Sequence, residues 1–147
     1  MKIKHKKSRW EEIPEVIQNQ IGDILEAGGF LVEGDAKRLC PVDTGRLRSS
    51  IHTRKEDWNK VIVGTDVEYA PYVEYGTPPH MPPVEALKRW AERHKMGEKA
   101  AWALARTIEK HGTQPQPFMR PALAGNRQKI QELFTRRLGE IIRKYQI

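Results

Sequence analysis

The chain has 147 residues, a formal net charge of +7, and 38% hydrophobic and 31% charged residues. This length suits one domain with a modest core (1–147), and no apolar run reaches the length of a membrane span. A single cysteine, Cys40, excludes an internal disulfide and a cysteine-based zinc site, so the expected setting is a reducing cytoplasm or an assembly made in one.

The N-terminus is strongly basic and has no apolar segment behind it, unlike a secretory signal. Residues 1–10 are predicted to form a flexible, solubilising tail. The alternative is an arm that contacts nucleic acid, since a positive net charge favours an anionic partner. The possible DNA-facing residues are Lys2, Lys4, Lys6, Lys7 and Arg9.

A first helix is predicted from about Glu12 to Leu39, with Pro14 in its first turn. One mostly apolar face repeats at three- and four-residue steps: Ile17, Ile21, Ile24, Gly28, Leu31, Asp35 and Leu39. Several glycines oppose this helix by about 1 kcal/mol each relative to Ala. Either the helix kinks near Gly28–Gly29, or these small residues allow close packing; the unbroken apolar register favours close packing.

The stretch Pro41–Ile51 is predicted to turn the chain from helix to strand. Pro41 ends the helix, and Asp43, Thr44 and Gly45 supply turn chemistry, with glycine free to adopt a positive φ. From Leu47 onward, apolar and polar residues alternate, which predicts a half-buried strand. A turn at Lys55–Asn59 and a second strand over Lys60–Thr65 complete an antiparallel pair.

The stretch Tyr69–Thr77 is predicted to form a single helical turn, with Pro71 near its start and Gly76 just past its end. Its three tyrosines recur at three-residue steps, so a shared face is expected. Such a face could stack on bases, seal a core or form a subunit interface.

A stiff proline-rich connector follows, and then a helical insertion over residues 84–111. Its helices are predicted at Val84–His94 and Glu98–His111, with Gly112 as a C-cap. Thr113–Pro117 is extended, and a final helix runs from Pro121 to about Tyr145. The apolar face of that helix is predicted as Leu123, Ile130, Phe134, Leu138, Ile141 and Tyr145.

No pattern in the sequence argues for catalysis. Asp43-Thr44-Gly45 is similar to the paired active-site loops of aspartic proteases. Those enzymes are rich in β-structure, however, whereas here a helix precedes the tripeptide and Arg46-Leu47-Arg48 follows it. The five histidines lack metal-binding spacing, and phosphate-binding glycine loops and nucleophile motifs are missing from the sequence. We therefore expect no enzymatic activity and no cofactor or metal.

Three stretches in fixed order resemble the tail-completion, or head–tail joining, proteins of long-tailed bacteriophages (the gene-product-ten-like family of minor structural proteins). They are Pro41–Ile51, Tyr69–Thr77 and Gln116–Leu123, and the resemblance spans roughly Glu12 to Ile147. The signature residues are Pro41, Asp43, Thr44, Gly45, Arg46, Leu47, Ser50, Ile51, Gly64, Tyr69, Ala70, Tyr72, Glu74, Gly76, Thr77, Pro117, Phe118 and Pro121.

The resemblance implies an α+β fold in which a long N-terminal helix and a C-terminal helix pack on a small antiparallel sheet. It also implies a non-enzymatic virion protein that forms a homo-oligomeric ring, usually taken as sixfold, at the head–tail junction. Its partners would be copies of itself and the neighbouring connector and tail-tube proteins, with transient DNA contact in the lumen and no membrane. Such a protein would be made in the host bacterial cytoplasm.

A basic nucleic-acid-binding module is the alternative from a different functional class. It is motivated by the net charge, the basic N-terminus and the Lys/Arg-rich final helix. This alternative predicts duplex binding that weakens steeply as the salt concentration rises.

Overall fold

The computed structural model describes residues 14–145. In chain order the elements are α1 (Glu15–Leu39), α2 (Arg46–Ser50), β1 (His52–Asp57), β2 (Lys60–Gly64), α3 (Ala70–Tyr75), α4 (Val84–Arg93), α5 (Glu98–His111) and α6 (Met119–Tyr145). The predicted α+β class is confirmed. The predicted helix start at Glu12 and the basic residues Lys2, Lys4, Lys6, Lys7 and Arg9 lie outside the described residues.

The two long helices, α1 and α6, pack on each other, and both strands of the hairpin pack on α1. At one end of the helix pair, the side chains of Ile17, Ile21 and Ile24 are buried with Ile141. This part of the predicted α1 face is confirmed.

Beyond Gly28 the predicted α1 face is wrong. Leu31 is 40% exposed and Leu39 is 45% exposed, whereas the buried residues are Val32, Ala36 and Cys40. Steps of four residues advance about 400° around an α-helix, so each step rotates the buried line by about 40°. The buried line therefore turns from the α6 side of α1 toward the hairpin side. A periodic pattern that assumes a single packing partner is wrong where the helix packs on two.

Two glycines of α1 mark close contacts with neighbouring elements. A Cβ atom at Gly28 would lie 3.3 Å from Cγ2 of Ile130 on α6, and one at Gly29 would lie 2.6 Å from Cγ2 of Thr53 on β1. Helix α1 is uninterrupted across both positions. The close-packing interpretation is therefore confirmed: these positions are small because a helix and a sheet both approach them.

The strand predicted from Leu47 is wrong over its first residues, because Arg46–Ser50 forms the short helix α2 and β1 begins at His52. Gly45 adopts a φ of 83° and directs the chain into this helix. Leu47 and Ile51 are both buried, and residues four apart share a face on a helix as well as on a strand. The apolar spacing alone did not distinguish these two structures.

The predicted antiparallel strand pair is confirmed. Strands β1 and β2 pair with His52 opposite Gly64 and Lys55 opposite Val61, and the register shifts between Lys55 and Asp57. The turn is shorter than predicted, because Lys55–Asp57 belongs to β1 and leaves only two residues between the strands.

The two helices predicted within the insertion are confirmed as α4 and α5, which pack on each other. Helix α6 begins at Met119, two residues before the predicted start at Pro121. Leu123, predicted to lie on the apolar face of α6, is 59% exposed, and its neighbours Ala122 and Asn126 are buried instead. The Asn126 side-chain amide donates hydrogen bonds to Asp35 Oδ2 at 2.7 Å and to the Ala122 carbonyl at 2.9 Å. No helix between residues 14 and 145 is both long and apolar enough to cross a membrane.

Candidate functional site

The three signature stretches meet in one buried cluster. Leu47 and Ile51 come from the first stretch, Ala70 from the second and Phe118 from the third. Phe118 is 1% exposed and is among the largest fully buried side chains. The remaining members of the cluster come from α1, the residue after it, the segment after β2 and α6: Val32, Ala36, Cys40, Val67 and Ala122. The sequence signatures are thus the parts of the chain that fix α1, α3 and α6 against each other.

A buried carboxylate joins the second signature to the third. Glu74 accepts backbone hydrogen bonds from Phe118 at 2.7 Å, Met119 at 2.9 Å and Arg120 at 3.0 Å. These N–H groups lie at the N-terminus of α6, in its first two residues and the residue before them, where no helical partner is available and where the helix dipole favours a negative charge. Burial raises the pKa of Glu74, but the three N–H donors outweigh it and hold the pKa below its ordinary value.

The insertion is joined to the rest of the described chain, hereafter the body, by a bridge between Thr77 and Thr113, hereafter the neck. Their backbones pair in both directions at 3.2 and 3.1 Å, and their hydroxyl oxygens lie 2.9 Å apart. Gly76 and Gly112 flank this bridge with φ values of 73° and 71°. A Cβ atom at Gly112 would collide with the Thr77 carbonyl, so the neck needs glycine on steric as well as conformational grounds.

A second attachment joins the insertion to the first signature. The Asp43 carboxylate accepts hydrogen bonds from Arg93 Nε at 3.1 Å and from Arg93 Nη2, both at the end of α4. His94 Nε2 lies 3.3 Å from Asp43 Oδ1. The Arg93 hydrogen bond lowers the pKa of Asp43, and His94 acts in the same direction. These groups are partly exposed, so the attachment is far weaker than the buried cluster.

The outward-facing signature residues border a groove of about 680 Å³. The first signature contributes Val42 and Arg46, the second contributes Tyr69 and Tyr72, and the insertion contributes Trp90. Val42 is 49% exposed and Tyr72 is 61% exposed, so both present apolar surface to this groove. This groove is the candidate interaction surface of the body.

The three tyrosines do not share one face, so that prediction is wrong. Tyr69 and Tyr72 line the groove, whereas Tyr75 lies elsewhere, with the Arg120 guanidinium 5.1 Å from its ring centre. A three-residue step on an α-helix falls about 60° short of a full turn, so two steps place Tyr75 about 120° from Tyr69.

The other signature residues have local or bordering positions. Pro41, Thr44 and Thr77 line the groove, and Ser50 Oγ lies 2.5 Å from Thr65 Oγ1. Gly64 ends β2, and Pro117 and Pro121 flank the first residue of α6.

The sequence reasoning missed Arg93 and His94, because no local pattern shows a partner 50 residues away. Among residues 14–145, no three His, Cys, Asp or Glu side chains form a group that could hold a metal ion.

Comparison with known proteins gives one match. Residues 7–76 match a family described as Bacteriophage HK97-gp10, a proposed tail component. This range contains the first signature and the second as far as Gly76, together with α1 and the hairpin. No curated protein and no solved structure matches the chain.

Proposed function

We propose that this chain, whose residues 7–76 match the family described as Bacteriophage HK97-gp10, is a phage tail-component protein that joins the head and the tail of a long-tailed phage or prophage particle. In this role it is a non-enzymatic structural subunit. Copies form a closed ring, with sixfold symmetry, between the connector on the portal side and the tail tube. A ring requires head-to-tail contacts that close by rotation.

The observation that carries this proposal is that the three signature stretches contain one set of buried residues and another set that lines a groove. Their apolar members, such as Leu47, Ile51 and Phe118, are buried together, whereas Val42, Tyr69 and Tyr72 border one groove. A subunit of an assembly needs such a rigid body, because a surface that is already ordered loses little conformational entropy on docking. The groove, the hairpin turn and the extended segment Thr113–Pro117 are the candidate contact surfaces.

The test is to locate the protein in purified particles. Mass spectrometry should detect it there, and gold-labelled antibody should mark the head–tail junction in electron micrographs. Deletion of its gene should leave filled heads and separate tails. Its absence from purified particles would contradict the proposal, and so would label along the whole tail.

The alternative function is nucleic-acid binding, and the observation that favours it is an exposed basic stripe. Lys129, Arg136 and Arg143 recur at seven-residue steps on α6, and all three are exposed. Seven residues make nearly two helical turns, so these side chains lie along one side of the helix. Duplex retention at low salt that falls steeply with added salt would support this alternative. The absence of any mobility shift with DNA at low salt would end it.

A further inference from the structure

The helix pair of α1 and α6 is covered by the hairpin on one side only. Gly29 faces the hairpin, and Leu31, two residues later, lies about 200° around α1. On that side a groove of about 610 Å³ runs between α1 and α6, hereafter the seam groove. Its floor includes Ala27, Leu31 and Leu133. Phe30, beside Leu31 in the chain, is 55% exposed.

The rim of the seam groove is mostly basic. Lys129 and Arg136 line it from α6 and have no acidic partner among residues 14–145, whereas Glu132 accepts a hydrogen bond from Gln128 at 2.9 Å. Exposed apolar side chains beside a mixed but mainly basic rim resemble a protein interface. Duplex DNA would gain nothing from Phe30 and Leu31 and would be repelled by Glu132.

A surface of opposite character follows β2 on the same chain. Asp66 and Glu68 are exposed and have no basic partner within the described part of the chain, and they share a cleft with Pro71 and Tyr75. Tyr75 is 61% exposed. This acidic surface therefore offers two carboxylates and an aromatic ring, with the Arg120 guanidinium above that ring.

The charges on the two parts of the body, residues 14–77 and helix α6, are divided in the same way. Residues 14–77 contain seven basic and eleven acidic residues, a net charge of −4. Helix α6 contains seven basic and two acidic residues, a net charge of +5. Contacts that bring like faces of two copies together are disfavoured by this division, whereas head-to-tail contacts are favoured.

We propose that the seam groove binds the acidic surface of a second copy of this chain. Lys129 and Arg136 of one copy face Asp66 and Glu68 of the next, and the tyrosine ring covers the apolar floor beside Leu31. The contact is heterologous, so it can repeat around a ring. This inference rests on the proposed function, to which it adds one further pair of contact surfaces between copies.

A pair of charge-reversed variants tests the contact. K129E/R136E carries two acidic surfaces, and D66K/E68K carries two basic ones, so each variant alone should weaken self-association by roughly ten- to a hundredfold. An equimolar mixture should associate again, because each groove then meets an opposite charge on the other variant. Native mass spectrometry and light scattering at about 50 mM salt measure all three samples.

The control is K99E/R106E, which makes the same change in charge at exposed positions of the insertion. It should associate like the unmodified chain, whose association should weaken at high salt. A monomeric unmodified chain at low salt would overturn the proposal, as would a mixture that stays monomeric. The proposal would also be contradicted if K129E/R136E no longer bound DNA but still self-associated. Rings that persist in both charge-reversed variants would refute only the assignment of these contact surfaces. The head–tail role would not be affected, because the location of the protein in particles tests it separately.

Discussion

The body and the insertion are held together by different means. The body buries large side chains, among them Ile51 and Phe118, around a carboxylate that caps α6. The insertion buries Ala91, Ala101, Ala105 and Ile108, three of which are alanines, and is attached by a short bridge and a partly exposed ion pair. Little apolar area stabilises a core of alanines. The body is therefore built as a rigid block, and the insertion as an appendage whose position depends on few contacts.

The largest expected effect is on the body cluster. F118A removes a fully buried ring at the meeting point of the three signatures and should lower the free energy of unfolding by about 3–5 kcal/mol. L123A, five residues later on an exposed position, should change it by less than about 0.5 kcal/mol. Urea denaturation followed by circular dichroism measures both. Equal losses in the two variants would contradict the assignment of Phe118 to the core and Leu123 to the surface.

The second-largest loss of stability is expected at the buried carboxylate of Glu74. E74Q keeps the shape of the side chain but removes the charge that three N–H groups share, and should cost about 3 kcal/mol. The pKa of Glu74 is lowered in the fold. Its contribution is therefore complete above its ordinary value of 4.5 and is lost as the pH falls through the lower folded value.

Thermal unfolding between pH 6 and pH 3 tests this dependence. Unmodified protein should lose more stability than E74Q as the pH falls below about 4.5, because the variant has already lost the charge. E109Q, at an exposed position of α5, should follow the unmodified protein. A steeper pH dependence in E74Q would contradict the assigned cap.

A smaller loss of stability is expected from a substitution at the neck. G112A forces a side chain into a positive φ and against the Thr77 carbonyl, and should destabilise by about 2 kcal/mol. G125A is the matched control, because a Cβ atom there meets no atom within 4 Å. It lies inside α6, so it should stabilise by about 0.5–1 kcal/mol. The midpoint of denaturant unfolding should therefore move in opposite directions in the two variants.

The smallest effect is expected at the ion pair that positions the insertion. D43N should leave global unfolding nearly unchanged, because the pair is partly exposed, yet it should speed amide exchange in α4 by up to about fivefold. R89Q, at an exposed position of the same helix and with no acidic partner among residues 14–145, serves as the control. Faster exchange in α1 and α6 as well would show that body and insertion are less independent than proposed.

Local chemistry in the sequence determined where most elements begin and end. Pro71 and Gly76 bound α3 as predicted, Gly112 ends α5, and the β-branched run at Val61–Val63 forms the second strand. These features depend on φ restrictions and side-chain shape within a few residues, so a single sequence contains them.

Tertiary structure alone decided which residues meet. Glu74 caps a helix that begins 45 residues later, and Asp43 pairs with Arg93 across 50 residues. The helix at Arg46–Ser50 and the turn of the α1 face toward Val32 also depend on neighbours that are distant in the chain. Periodicity records how a segment alternates but not which partner its apolar side faces, and that choice is made only when the elements pack together.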